Sequence, residues 1–143
     1  MNLKQNKLIL YSIILGFLGF LDATYLTILH YKNIIPPCNI TNGCETVLAS
    51  KYAMIGPIPV ALLGSLFYLS ILVTCILVLT NYKKLFLDTY YLLVGIGFIV
   101  SIILLLVQEF LLKAFCQYCI LSEIISSGLI LLAFLKFRED KKG

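Results

Sequence analysis

The sequence predicts an all-α integral membrane protein: a four-transmembrane-helix bundle with an outward loop and a short lid helix between spans one and two. Three observations carry this. The chain is 61% hydrophobic and 13% charged, with mean hydropathy +1.02, a balance outside that of soluble domains. Four windows meet the roughly 20 apolar residues that a span requires. Basic residues gather at alternate ends of those windows.

The spans run about 8–29, 57–80, 89–112 and 115–137, within a single membrane domain covering residues 1–143. The first is longer than the apolar core of a signal peptide, about 7–15 residues, and no small-residue cleavage site follows it. It reads as an uncleaved span. The loop at about 30–56 is the one long polar connection. Pro36-Pro37 and Asn42-Gly43 are turn formers, so the stretch between Cys38 and Cys44 is expected to be flexible. Glu45 to Tyr52 lacks Gly and Pro and places Val47, Leu48 and Tyr52 at helical spacing, which predicts a lid helix over the bundle mouth. Asn39-Ile40-Thr41 matches a glycosylation acceptor but would crowd Cys38. Gly56-Pro57-Ile58-Pro59 opens span two, proline being tolerated in a first helical turn. Asp88 is expected to cap span three. Gly16, Gly19, Gly95 and Gly97 are expected where helices approach closely.

Of the 11 basic residues, Lys4, Lys7, Lys83, Lys84, Lys136, Arg138, Lys141 and Lys142 share one side, leaving Lys32, Lys51 and Lys113 on the other. The positive-inside rule puts both termini in the cytoplasm of a multi-pass cell-membrane protein. These charges report topology and give no nucleic-acid surface.

Topology then places the chemistry. Cys38, Cys44, Cys116 and Cys119 all fall on the outer, oxidising face, where disulfides persist. Cys75 lies inside span two and reads as a packing residue. Cys116 and Cys119, in C-Q-Y-C, begin span four, and the positive end of a helix stabilises thiolate. Two dithiols facing each other at the membrane surface suggest an electron relay by disulfide exchange. Two other readings stay open on these residues: static structural disulfides, or a Cys₄ metal site.

In Cys38/Cys44, Ser50, Gly56-Pro57-Ile58-Pro59, C-Q-Y-C and Leu21-Asp22-Ala23-Thr24-Tyr25-Leu26, the chain resembles the bacterial form of the vitamin K epoxide reductase (VKOR) family. The resemblance covers about residues 12–135. It implies a bundle around a quinone, menaquinone or ubiquinone, that accepts the electrons. It implies that Cys38 takes electrons from a reduced thioredoxin-like partner, and that Cys44 then forms a transient disulfide with Cys116. Cys119 would sit against the quinone and Ser50 would hydrogen-bond a quinone carbonyl. Many bacterial members carry a fused thioredoxin-like domain. Here the chain stops at Gly143, so the partner is expected to act in trans, outside the cytoplasm. Animal members have a tyrosine where this chain has Glu123, and their asparagine before a span-two glycine has no counterpart near Val60 and Ala61. These departures bear on epoxide reduction and leave plain quinone reduction as the implied activity.

Four polar residues near the span ends complete the candidates. Asp22 and Glu123 fall inside spans, where a central Asp costs about 2.5–3.5 kcal/mol, so both are candidates for redox-site support. Glu123 lies one turn from Cys119 and is a candidate proton holder. Gln108 and Glu109 end span three, and Gln108, being neutral, is the better candidate to meet a quinone oxygen.

Overall fold

Lipid offers a backbone no hydrogen-bond partner, so each apolar segment must satisfy its own N–H and C=O groups, and helices result. The structure is a computed structural model that describes residues 2–143. Its elements are α1 (Leu3–Tyr31), α2 (Cys44–Leu48), a 3-10 turn (Lys51–Ala53), a hairpin of β1 (Met54–Ile55) and β2 (Ile58–Pro59), α3 (Val60–Thr80), α4 (Lys84–Leu106), a π-helical continuation of α4 (Val107–Leu112), and α5 (Gln117–Lys142). Four of the helices are long and apolar enough to cross a membrane, which makes this a multi-pass membrane protein. Leu92, Ile96, Ile99, Ile103 and Leu106 stand exposed along α4 at steps of four and three, a stripe that suits lipid and not water.

The helices form a ring in which α1 packs on α3 and α5, and α4 packs on the same two. Small residues set the approach. A Cβ on Gly19 would collide with the Tyr68 ring, and one on Gly97 with Phe67. The half of the bundle near the termini is solid. Ile9, Ile71, Cys75, Val78, Tyr90 and Leu129 fill it, and Ser12 reaches across the ring to the Tyr90 hydroxyl at 2.7 Å. The same end carries a polar clasp. Asp140 accepts from Gln5 (2.8 Å), Tyr91 (2.7 Å) and the fully buried Lys136 (3.2 Å), while Lys4 pairs with Glu139 at 2.8 Å. The other half, near the cysteines, opens into a cavity.

Several local expectations need correction. Span two does not begin at Pro57: Gly56 takes a left-handed turn (φ +61°), β1 pairs with β2, and α3 starts at Val60 with Pro59 as its cap. Two prolines so close leave too few N–H donors for a helical turn, and Gly56 lets the chain reverse instead. The lid helix is shorter than expected, Cys44–Leu48, with a 3-10 turn completing it. Asp88 lies inside α4, whose cap is Lys83. A Cβ on Gly95 would meet nothing within 4 Å, so that glycine serves no close approach. Span four's helix starts at Gln117 rather than Phe115, and α1, α4 and α5 extend beyond the apolar windows at the end bearing the termini.

Candidate redox site

Cys38 and Cys44 form a disulfide, with Cα atoms 6.0 Å apart, and Cys116 and Cys119 are free thiols. The four sulfur residues gather in one small apolar cluster with Val47, Leu48, Leu112, Ala114 and Tyr118. Burial separates their roles. Cys44 and Cys116 are 1% and 0% exposed, whereas Cys38 is half-buried and reachable from solvent. A thiolate arriving from outside can therefore attack the bridge at Cys38, and the sulfur it releases, Cys44, already lies in the cluster with Cys116. The Thr41 hydroxyl lies 3.6 Å from the Cys38 sulfur.

Three contacts hold the loop against the start of α5. Gln117 Oε1 accepts the Ile40 N–H at 3.0 Å, and the Tyr118 hydroxyl donates to the Pro37 carbonyl at 2.9 Å. Gly43 lies so close to Phe115 that a Cβ there would be 2.5 Å from the Phe115 carbonyl oxygen. The two residues between the C-x-x-C cysteines thus anchor the segments flanking Cys38. Sequence reasoning assigned neither residue a role, although two hydrogen-bonding side chains at an exposed helix start were a readable signal.

Cys116 caps α5. Its thiol is held below the usual cysteine value by a hydrogen bond from the Cys119 side chain and by the backbone N–H groups of Cys119 and Tyr118; burial and the Asp22 carboxylate act in the opposite direction. The N–H groups of the helix start, the cause expected from the sequence, are the smaller contribution beside that of the Cys119 side chain.

Cys119 lies in the wall of a cavity of about 840 Å³. Phe67, Val100, Leu104 and Tyr52 give it an apolar lining, and Leu48 of the lid helix helps to close it. Ser50, Gln108, Asp22 and Glu123 line the same cavity, so it brings together all the polar candidates apart from Glu109, which is exposed. The Ser50 hydroxyl donates to the Val47 carbonyl at 2.7 Å. Gln108 has both ends engaged: Oε1 accepts the Cys116 backbone N–H at 3.0 Å and Nε2 donates to Glu123 at 2.8 Å. Its burial follows from the π-helical turn, which rotates Gln108 inward while leaving Glu109 outside. Lys113, left-handed at φ +49°, then ends the helix and turns the chain into α5.

The model of the Vitamin K epoxide reductase family matches residues 10–134, nearly the whole chain. The chain belongs to the vitamin K epoxide reductase family. No curated protein matches it significantly. The match spans all four membrane helices, the loop and both cysteine pairs, so the disulfide, the neighbouring thiols and the cavity all lie in the VKOR region. Family membership makes this chain a membrane oxidoreductase of the thiol–disulfide class.

Proposed function

We propose that this VKOR-family protein is a thiol:quinone oxidoreductase that reoxidises a thioredoxin-like partner and supports disulfide formation outside the cytoplasm. One observation carries the reading. The cysteines run from a reachable sulfur, Cys38, through the buried neighbours Cys44 and Cys116, to Cys119 on a large apolar cavity. A static pair of disulfides gives no reason for the last thiol to face such a cavity, and a Cys₄ metal site needs four thiolates where Cys38 and Cys44 are bonded to each other.

The cavity fits a quinone. Its volume lies within the range of about 300–1,000 Å³ typical of small-molecule sites, and its wall is apolar with few polar groups. Two of those groups, Asp22 and Glu123, each carry a buried oxygen with no partner. A quinone held there supplies an acceptor for two electrons and two protons. Cys119, Glu123 and Ser50 are the residues that would meet its polar ring, and Phe67, Val100 and Leu104 those that would hold its apolar part.

The residues then act in order. The partner's thiolate attacks Cys38 and releases Cys44. Cys44 attacks a Cys116–Cys119 disulfide at Cys116, freeing Cys119. The partner's second thiol resolves its bond to Cys38, and Cys38 attacks Cys44 to restore their bridge and release Cys116. The electrons now rest on Cys116 and Cys119, which is the arrangement of bonds seen here. The lowered Cys116 thiol favours the last step, because a leaving thiolate departs faster when its pKa is low. The basic residues at the end bearing the termini orient the bundle so that the cysteines face outward.

The test uses purified protein in detergent under anaerobic conditions, a reduced thioredoxin-like protein, and soluble menaquinone and ubiquinone analogues. Quinol formation is followed by ultraviolet absorbance. Wild type is expected to turn over with at least one of these quinones, and Cys119→Ser to form no quinol while still accepting electrons at Cys38. Quinol formation by Cys119→Ser at the wild-type rate removes Cys119 from its assigned role.

A further inference from the structure

Moving two electrons from a dithiol to a quinone also moves two protons, and a cavity with a mostly apolar wall offers few groups to carry them. The groups available are few. Two carboxylates line the cavity, Asp22 from α1 and Glu123 from α5. They are 8% and 9% exposed, and among the described residues no Lys or Arg lines the cavity to neutralise them. One oxygen of each, Asp22 Oδ2 and Glu123 Oε2, is buried without a hydrogen-bond partner. Such an atom is expensive to leave unsatisfied, so it calls for a proton or a ligand.

Glu123 is also aimed. Gln108 Nε2 holds its Oε1 at 2.8 Å, while Gln108 Oε1 holds the backbone N–H of Cys116 at 3.0 Å. One amide therefore fixes the carboxyl against the start of the redox helix and leaves Oε2 unbonded. Glu123 follows Cys119 by one helical turn on the same face of α5. The nearby Tyr68 hydroxyl is committed elsewhere, at 2.9 Å from the Ser122 carbonyl and 2.8 Å from its hydroxyl.

We propose that Glu123, positioned by Gln108, carries the thiol proton of Cys119 to the quinone, and that Asp22 carries the second proton. The inference rests on the thiol:quinone reading above. The balance closes. Cys116 and Cys119 lose two S–H bonds and gain one S–S bond. Their two electrons pass to the quinone, whose oxygens form two O–H bonds. Glu123 Oε2 takes the proton from Cys119 and gives it up, ending unchanged, and Asp22 Oδ2 does the same for the proton of Cys116. Gln108, with its amide engaged by Glu123 and by the Cys116 N–H, acts as a positioning residue.

The experiment separates the two halves of the cycle in Glu123→Gln, a near-isosteric change that can still accept from Gln108. Protein reduced at Cys116 and Cys119 is mixed with a soluble quinone in a single turnover. The expected result is quinol formation slowed by about 10²–10⁴-fold, the usual contribution of a positioned acid–base group. Electron acceptance from the reduced donor should slow by far less than quinol formation does. Glu123→Asp should recover part of the rate, and Gln108→Ala should alter the pH profile of quinol formation. The ionisable groups that share the site with Glu123 are Asp22 of α1, Tyr68 of α3, His30 and Tyr52 in the cavity wall, and Cys116 and Cys119. A second readout needs no quinone. Infrared difference spectra between the dithiol and disulfide states should contain a carboxyl C=O band, moved as the Cys119 S–H is lost beside Glu123, that shifts in D₂O and disappears in Glu123→Gln. Full-rate quinol formation by Glu123→Gln, or equal losses in both halves of the cycle, overturns the proposal. Should that variant fail to fold, Asp22→Asn is put through the same measurements, and an unaltered rate and spectrum overturn it equally. Wild type that accepts electrons yet forms no quinol sinks the thiol:quinone reading instead.

Discussion

Gly43→Ala tests the geometry of the central exchange. A Cβ at this position would lie 2.5 Å from the Phe115 carbonyl oxygen, 2.7 Å from the Phe115 nitrogen and 3.1 Å from the Ala114 Cβ. The two closest neighbours are backbone atoms, which cannot rotate away. Comfortable contact between non-bonded atoms begins near 3.5 Å, so the loop must retreat by roughly 1 Å. Backbone strain is not at issue, because the φ of −102° suits alanine. The overpacking should cost about 1–3 kcal/mol locally. Cys44 follows Gly43 directly, so the displacement passes to its sulfur and moves it off Cys116. A misplacement of about 1 Å in a reacting pair can cost on the order of 10²-fold in rate. The assay oxidises a Cys38→Ser, Cys119→Ser background with diamide, which takes up the two electrons and two protons released as Cys44 and Cys116 join, with and without Gly43→Ala, and maps the bridge by non-reducing peptide mass spectrometry. Trapping should slow by about 10²-fold while the thermal unfolding of the bundle changes little. Trapping at the parental rate would refute the argument that the Gly43–Phe115 approach aligns the two sulfurs.

Three further outcomes follow from other parts of the bundle. Asp140→Ala strands the fully buried Lys136 without its carboxylate, and breaking such a pair should destabilise the protein by about 3–5 kcal/mol, read as lower thermal stability in detergent. Cys119→Ala removes the side-chain donor that lowers the Cys116 thiol; because that bond favours the charged form, thiolate absorbance should appear at higher pH than in wild type, and an unmoved titration would show that the helix start alone sets it. Cys75→Ala, fully buried among Ile71, Val78 and Tyr90 and remote from the cavity wall, should leave quinol formation near normal, so lost turnover in folded protein would mean that Cys75 takes part.

Lipid partitioning is why so much was legible in the chain. The hydrophobic requirement sums along a segment, so composition alone yields four spans, their order and the long loop between the first two. Charge at the span ends adds a direction. Both cysteine pairs then fall at one end of the bundle, where the structure gathers them. Rotation about each helix axis is a different matter. α3 is apolar all round, so no stripe announces which face meets a neighbour or a cavity. The inward turn of Gln108 depends on a π-helical step that hydropathy does not encode. At Pro57 the reading of a helical start failed because a glycine before two closely spaced prolines favours a reversal. The sequence by itself thus determined the class, the spans and the placing of the cysteine pairs at one end, because those follow from local chemistry. Only the tertiary structure decided that Gln108 bridges Cys116 and Glu123, that Gly43 meets Phe115, and that Cys119 reaches the cavity, because each depends on which faces of separate segments come together.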